Sequence, residues 1–410
     1  MKFPLFVAKR YFVSKKSTNV INIISGISVV GVTIGTAALI IVLSVFNGFE
    51  SLVISLYNSF DPNLKITPVA GKTFDPALLD MNRIRTAGGV KYLCEVVEDN
   101  CLIKYRDKQY IATVKGVDSN FVKMSGIQKK MTEGEFLLEH ADTNFAVIGQ
   151  GVAYYLSVNS RDVFHFLNLY FPRKGDNVEL NPEDAFVRKS VFPIGAFSIQ
   201  QDFDSKYLLV PLRLARELFS SGKEISALEI GLSENADMDA AQKEITELAG
   251  PSFKVRNRYQ LHEVLYKIMK SEKWAVYLIL SFILLIATFN IIGSLTMLII
   301  EKKKDIAILH ALGADSGTVR KIFLLEGSMI TVLGAAFGTL IGFAVCLLQV
   351  KTGIVKLHGT GSFVIDAYPV QMQIPDFVYV FLTVMVIGLA AAWFPAGRLT
   401  SRLVKLKINE

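Results

Sequence analysis

The sequence predicts a helical membrane protein with four transmembrane helices, arranged one plus three around a large extracytoplasmic α+β domain. Four long segments carry no charged residue, and each can cross a hydrocarbon core of about 30 Å as a helix. A long polar stretch separates the first segment from the second, and basic residues flank the segment ends. The predicted spans are residues 17–49, 274–300, 327–350 and 377–397.

Composition supports this mixed architecture. The chain is 51% hydrophobic, which is high for a soluble protein, but its 20% of charged residues is too much for a chain wholly inside a membrane. A water-exposed part must therefore exist. Residues 61–258 are long enough to form one or two small domains with their own cores, with an insertion expected at about residues 131–195.

Basic residues predict which ends of the spans face the cytoplasm. Lysines and arginines cluster at the N-terminus, between the second and third spans, and after the fourth span. All three clusters belong in the cytoplasm, so both termini are predicted inside and residues 61–258 outside. The net charge of +7 is mostly this topology signal, and no nucleic-acid partner is expected.

The remaining segments take their roles from the spans. Residues 1–16 are predicted to form a cytoplasmic amphipathic helix, and residues 398–410 a cytoplasmic tail. Helical stalks are expected to continue the first two spans outward. The first stalk, the second stalk, the cytoplasmic loop and the outer loop are residues 50–60, 259–273, 301–326 and 351–376.

The three cysteines are not expected to form a disulfide. Cys346 lies in the third span, whereas Cys94 and Cys101 lie in a segment predicted to be a hairpin that turns at residues 98–100. In that register the two thiols are not cross-strand neighbours, so both are expected to be free.

Residues 301–313, EKKKDIAILHALG, form a short charged and apolar segment between two membrane-length segments. Ile306, Leu309 and Leu312 are spaced to share one helical face, and Gly313 is a natural helix C-cap. The pattern is typical of a docking element for a cytoplasmic partner. The same spacing would also suit a solvated helix at the membrane surface.

Small residues in the spans predict close helix packing, either within one protomer or between two. Glycines recur four apart in the first and third spans, which lets helices approach closely. They are Gly31, Gly35, Gly334, Gly338 and Gly342. The spans contain no Asp, Glu, Lys, Arg or His, so an ion-coupled pump is not expected.

The sequence contains no phosphate loop, no HExxH, no CxxC and no GxSxG motif, which predicts a chain that is not an enzyme and has no metal site. Energy for any directed work is therefore expected to come from another subunit.

The loop EKKKDIAILHALGADSGTVRKIFLLEG resembles the signature of the FtsX/MacB-like ABC transporter permeases. The first span, NVINIISGISVVGVTIGTAALIIVLSVFNGFE, is similar to that of the lipoprotein-releasing permeases of LolC/LolE type. The segments FVAKRYF, ATVKGVD, VIGQGVAYYLSV, YPVQMQIPDF and WFPAGR fall where that family has them, so the resemblance covers essentially the full chain.

The resemblance implies a multi-pass protein of the bacterial inner membrane that works with a second permease protomer and a cytoplasmic ABC ATPase dimer. ATP and Mg²⁺ would be used by the ATPase, and this chain would bind no cofactor. The residues expected to couple to the ATPase lie in the cytoplasmic loop: Lys304, Asp305, Ile306, Ala307, Leu309, His310, Leu312, Gly313 and Ala314.

The implied cargo is a lipoprotein, whose acyl chains need an apolar groove open to the outer leaflet. The outward ends of the first two spans are expected to supply it, although these residues could also be plain lipid-facing side chains. The groove residues are Val42, Val45, Phe46, Phe49, Leu52, Trp274, Tyr277, Leu278 and Ser281. A periplasmic carrier would receive the cargo, docking on the protruding residues Pro172, Arg173, Lys174 and Gly175.

Two other functions are compatible with the same residues. An FtsX-like regulator would transmit the state of the ATPase to a cell-wall hydrolase and move no cargo. A MacB-like exporter would transport soluble substrates by mechanotransmission.

Overall fold

The computed structural model describes residues 3–13, 19–141, 143–159, 164–173, 185–356 and 367–406 of the 410-residue chain. These residues form two compact units. The helical unit contains the residues up to Leu52 together with those from Lys267 onward, and the sheet unit contains Val53–Tyr266.

The helices are α1 (Phe3–Val13), α2 (Asn19–Asn58), α3 (Met81–Thr86), α4 (Ser119–Met124), α5 (Gln150–Leu156), α6 (Gln201–Asp204), α7 (Leu212–Leu218), α8 (Met238–Ala249), α9 (Arg258–Leu261), α10 (Glu263–Glu301), α11 (Lys303–Ala311), α12 (Ser316–Thr352) and α13 (Ile374–Leu406). The strands are β1 (Leu64–Pro68), β2 (Val90–Tyr105), β3 (Lys108–Val117), β4 (Met131–Gly134), β5 (Glu139–His140), β6 (Thr143–Gly149), β7 (Leu167–Pro172), β8 (Phe186–Phe197), β9 (Tyr207–Pro211), β10 (Ala227–Leu232) and β11 (Phe253–Asn257).

In the helical unit, α2, α10, α12 and α13 are each long and apolar enough to cross a membrane. Helix α12 begins at Ser316, before the predicted span of residues 327–350. The helix includes Arg320, Lys321 and Glu326, which the predicted span leaves out because they are charged. The side chain of Asp315 accepts a hydrogen bond from the N–H of Thr318 and so caps α12.

The sheet unit is built on one mixed sheet, with the strand order β11-β1-β10-β2-β3-β9-β6-β8-β4. Neighbouring strands are antiparallel except for the β3–β9 and β6–β8 pairs. Strands from the expected insertion join this sheet, because β6 pairs with β9 and β7 pairs with β2. One face carries the main apolar core, in which Leu64 and Ile66 of β1 are fully buried.

The opposite face of the sheet is also buried, but it carries charges. Strand alternation turns Lys65 away from Leu64 and Ile66. On this face the Lys115 ammonium lies 2.8 Å from the Glu229 carboxylate, and both side chains are almost fully buried. The ring of Phe60 lies 4.7 Å from the same ammonium, which adds a cation–π interaction.

A second ion pair adjoins the first. The Lys65 ammonium lies 2.7 Å from Glu98 and 3.6 Å from Glu229. Burial acts to raise the pKa of Glu98, but the nearby ammonium groups of Lys65 and Lys115 outweigh it and bring that pKa to about 2. The Glu98 carboxylate is therefore held in its charged form.

The hairpin predicted at residues 98–100 is wrong. Strand β2 runs through these residues without a break, and the turn lies at Arg106 and Asp107. The polar residues look like a turn in sequence because their partners are distant: Lys65 binds Glu98, and Lys72 lies 3.2 Å from Asp99. Cys94 and Cys101 are free and buried on this single strand, so the expectation of no disulfide is confirmed.

We predict that Glu229→Leu lowers the free energy of unfolding by about 3 kcal/mol, because it leaves the buried Lys115 ammonium without its closest carboxylate. The double variant Lys115→Met, Glu229→Leu should recover part of that loss, since both buried charges are gone. Denaturation of the purified full chain in detergent measures both. Equal losses in the single and double variants would contradict the pairing.

Candidate functional site

The short helix α11 lies between α10 and α12, and its end is fixed by backbone hydrogen bonds. The N–H of Gly313 donates to the carbonyl of His310, and the N–H of Ala314 donates to the carbonyl of Leu309, each at 3.0 Å. This is a Schellman motif, and Gly313 takes the left-handed conformation that it requires, with φ of +91°. Asp315 then caps α12, so α11 joins α12 through a short, defined turn.

The apolar residues of α11 divide between two faces. Ile306 is only 4% exposed and packs in a cluster with Val319 and Phe323 of α12. Ile308 and Leu312 point outward and are 59% and 79% exposed. The prediction that Ile306 shares a docking face with Leu309 and Leu312 is therefore wrong: Ile306 anchors the helix, and Ile308 takes its place on the open surface.

Other residues expected to couple lie around this surface. Lys304, His310 and Gly313 are exposed, whereas Asp305, Ala307, Leu309 and Ala314 are half-buried. Ile308 and Leu312 are four residues apart and so lie one above the other on the helix. Together they form an outward apolar ridge, which we call the α11 ridge.

Helix α1 packs along α12, and its Tyr11 ring contacts Lys302, which is the N-cap residue of α11. The Lys302 ammonium lies 5.3 Å from the centre of the Tyr11 ring and 3.7 Å from the Asp305 carboxylate. Burial, followed by the neighbouring Asp305 carboxylate, raises the pKa of Tyr11 to about 12. The phenol therefore stays protonated and can donate a hydrogen bond to Asp305.

The glycines of the third span pack against the first span within the same chain. A side-chain carbon at Gly334, Gly338 or Gly342 would meet Val32, Thr36 or Ile40 of α2 at 3.0 Å or less. The three pairs keep a constant offset, so α2 and α12 run in the same direction along a seam of four-residue spacing. We call this contact the glycine seam. Gly35 instead approaches Leu284 of α10.

The far ends of the membrane helices, away from α11, are joined by a polar cluster. Asn47 of α2 is 1% exposed; its side chain accepts a hydrogen bond from Lys273 of α10 at 2.7 Å and donates one to Asp376 of α13 at 2.6 Å. Lys273 also lies 3.6 Å from Asp376. The backbone N–H of Gln371 donates to the carbonyl of Ser44 at 2.9 Å. We call Asn47, Lys273 and Asp376 the outer latch.

Sequence reasoning missed the outer latch, although one signal was present. Asn47 is the one amide side chain in residues 26–49 of α2, and such a residue needs a polar partner inside a membrane. Lys273 and Asp376 directly precede the predicted spans 274–300 and 377–397, so in the sequence they mark only where those spans begin. Their convergence depends on how three helices pack, and spacing along the chain does not contain that information.

The residues expected to line a groove for acyl chains differ in exposure and in packing partners within the single chain. Trp274 and Leu278 are 59% and 62% exposed on α10, whereas Tyr277 turns inward and bonds to Thr383 of α13. Phe49 packs edge-on against Tyr368 at 5.3 Å. The other groove residues are half-buried: Val42, Val45, Phe46, Leu52 and Ser281. One side of α10 is thus left open by this chain.

The expected carrier-docking residues lie at the end of strand β7. Pro172 and Arg173 are exposed, and the N–H of Arg173 donates to the carbonyl of Ala185 at 2.9 Å. Lys174 and Gly175 lie outside the described residues.

Comparison with protein families matches both units of the chain. The model of the MacB-like periplasmic core domain matches residues 25–248, which is more than half of the chain, and the model of the FtsX-like permease C-terminal matches residues 277–403. The chain belongs to the FtsX/MacB-like permease family, and its sheet unit is a MacB-like periplasmic domain.

Curated relatives are similar over nearly the whole length. The lipoprotein-releasing system transmembrane protein LolE of Haemophilus influenzae is 23% identical, with 97% of each chain covered. LolC of Xylella fastidiosa is 25% identical with 96% of each chain covered, and LolC of Neisseria meningitidis is 24% identical with 96% of this chain and 95% of its own covered.

Two solved structures match the sheet unit loosely. The periplasmic region of MacB from Actinobacillus actinomycetemcomitans is 12% identical, covers 53% of this chain and 98% of its own, and gives a TM-score of 0.36. The extracellular domain of the transporter YknZ from Gram-positive bacteria is 12% identical and gives a TM-score of 0.34. The match covers 47% of this chain and 99% of the YknZ domain.

We predict that Gly338→Ala lowers the free energy of unfolding by about 1–3 kcal/mol, because the added methyl group would lie 2.5 Å from the Thr36 side chain in the glycine seam. Gly293→Ala is the matched control, since nothing lies within 4 Å of a side-chain carbon there. Thermal unfolding in detergent compares the two. Similar midpoints for both variants would show that the seam is not closely packed.

For the outer latch we predict an energetic coupling of about 0.5–3 kcal/mol between Asn47 and Asp376. Asn47→Leu and Asp376→Leu should each destabilise the chain, and the double variant should cost less than the sum of the two. A double-mutant cycle on chemical unfolding measures the coupling. Ser51→Leu, an exposed change on α2, should show none with Asp376→Leu.

Proposed function

We propose that this chain is the permease subunit of an ATP-driven ABC transporter that extracts lipoproteins from the outer leaflet of a bacterial inner membrane. The released lipoprotein would pass to a periplasmic carrier. The observation that carries the proposal is full-length similarity to LolC and LolE proteins in a chain whose α11 ridge faces outward.

The α11 ridge is the proposed docking point for the ATPase. Ile308 and Leu312 are apolar and exposed, while Ile306 and the turn at Gly313 tie the same helix to α12. A displacement applied to the ridge would therefore move α12 rather than bend a loose loop. The glycine seam would pass that movement to α2, because close-packed helices shift together.

The proposed cargo site uses the open side of α10. Leu278, Phe282 and Ile286 lie on this side and are each more than half exposed. A second permease protomer placed opposite would complete an apolar cleft for acyl chains. Extraction needs an energy source, since each methylene taken from a bilayer costs about 0.8 kcal/mol.

The orientation follows from the same proposal. Basic residues beside α11 and at both termini support a cytoplasmic position for these parts. The MacB-like unit and the outer latch then lie on the periplasmic side. ATP and Mg²⁺ would be bound by the partner ATPase dimer, and this chain would supply no catalytic group.

A regulator of cell-wall hydrolases and a MacB-like exporter would use the same cytoplasmic coupling. The names of the curated relatives favour lipoprotein release over both. Release of an acylated protein from the membrane distinguishes the three functions, because only the proposed one acts on a lipid-anchored cargo.

We predict that Leu312→Asp reduces lipoprotein release at least ten-fold, because a charge on the α11 ridge opposes apolar docking. The assay reconstitutes the chain with its permease and ATPase partners in vesicles and measures lipoprotein transferred to a soluble carrier. Ile374→Asp is the matched control, since Ile374 is 82% exposed at the other end of the helical unit. Unchanged release in Leu312→Asp would exclude coupling through this ridge.

A further inference from the structure

An apolar groove of about 1020 Å³ opens on the helical unit between α1, α12 and α13. Its walls include Leu5 of α1, Leu324 and Leu325 of α12, and Leu389 and Trp393 of α13. It lies beside the first turns of α12, close along the chain to α11 and far from the outer latch. None of the roles proposed above uses this groove.

Water is a poor occupant for the groove. The one hydroxyl among its lining residues belongs to Ser328, and it already donates to the carbonyl of Leu325 at 2.7 Å. Ordered water needs two to four polar partners, and leucine and tryptophan walls supply none. The groove opens on the surface of the helical unit, so an apolar group from outside the chain is the expected occupant.

One end of the groove is positively charged. Lys321 is exposed and is the only ionisable residue among those that line the groove. The guanidinium of Arg320 lies 4.5 Å from the centre of the Trp393 ring and adds a second positive charge at the wall. Lys9 and Arg10, both exposed, lie on the same short helix as Leu5. An occupant with an apolar chain and a negatively charged head matches these features.

We propose that the groove binds one anionic phospholipid of the membrane, with an acyl chain along the leucines and Trp393 and the phosphate at Lys321. Basic pockets beside membrane helices are a common way of holding such headgroups. The site goes beyond cargo transport, because the lipid is a resident ligand held at the opposite end of the helical unit from the outer latch. The bound lipid would hold α1 against α12 and α13. Helix α1 also contacts the start of α11, through Tyr11 and Lys302.

The two tryptophans of the chain give a direct measurement. Trp393 lines the groove and Trp274 lies on α10, so Trp274→Phe leaves one tryptophan, at the proposed site. The full-length Trp274→Phe chain is placed in vesicles that contain brominated phosphatidylglycerol or brominated phosphatidylcholine at equal mole fraction. Bromine quenches tryptophan only on close approach, so the quenching curves give the relative affinity of the two lipids at Trp393.

We expect phosphatidylglycerol to be preferred about five-fold over phosphatidylcholine. This is the factor that corresponds to the attraction of one basic residue for an anionic headgroup. Lys321→Gln in the same background should lower the ratio, because it removes the side chain at which the phosphate is placed. Lys351→Gln is the matched control, because Lys351 is exposed at the other end of α12 and should leave the ratio unchanged. Both are surface changes, and a size-exclusion profile checks that the folded chain is retained.

Three results would overturn the proposal. Equal quenching by the two lipids would mean that the groove holds ordinary bilayer lipid without selection. The absence of quenching by either lipid would mean that a protein segment or a second protomer covers the groove. A ratio that is unchanged in Lys321→Gln would place the phosphate elsewhere.

Discussion

The close approach of α2 and α12 is the contact on which the helical unit depends. Inside a membrane there is no hydrophobic driving force between helices, so van der Waals packing must supply the attraction. Gly334, Gly338 and Gly342 allow it by bringing the backbone of α12 against Val32, Thr36 and Ile40. The two helices run in the same direction, so the start of α2 lies at the same end of this packed pair as the start of α12, which follows α11.

Polar groups lie at the two ends of this pair, where they fix the ends of several helices. At one end Lys302 contacts Tyr11 and lies near Asp305, and at the other Asn47 bridges Lys273 and Asp376. A helical unit with a tightly packed middle and tied ends transmits displacement along its helices. This is the property that a subunit needs if its energy arrives at one end and its cargo leaves at the other.

Regular patterns in the sequence predicted the secondary-structure elements that depend on local periodicity. The length of the uncharged segments located the four long helices. Patterns failed where distant residues decide the outcome. Polar side chains at Glu98 and Asp99 resembled a turn until their lysine partners were known, and spacing on α11 could not tell that Val319 and Phe323 would bury Ile306. Glycine spacing predicted close packing but did not identify the partner helix.

The proposed function requires that this chain moves acylated cargo with energy from a cytoplasmic ATPase. The test is purification of the full-length chain from its native membrane in mild detergent, followed by mass spectrometry of the bound proteins and acylated species. We expect an ABC ATPase, a permease protomer and one or more lipoproteins in the complex. An ATPase together with a peptidoglycan hydrolase, and without any lipoprotein, would contradict it.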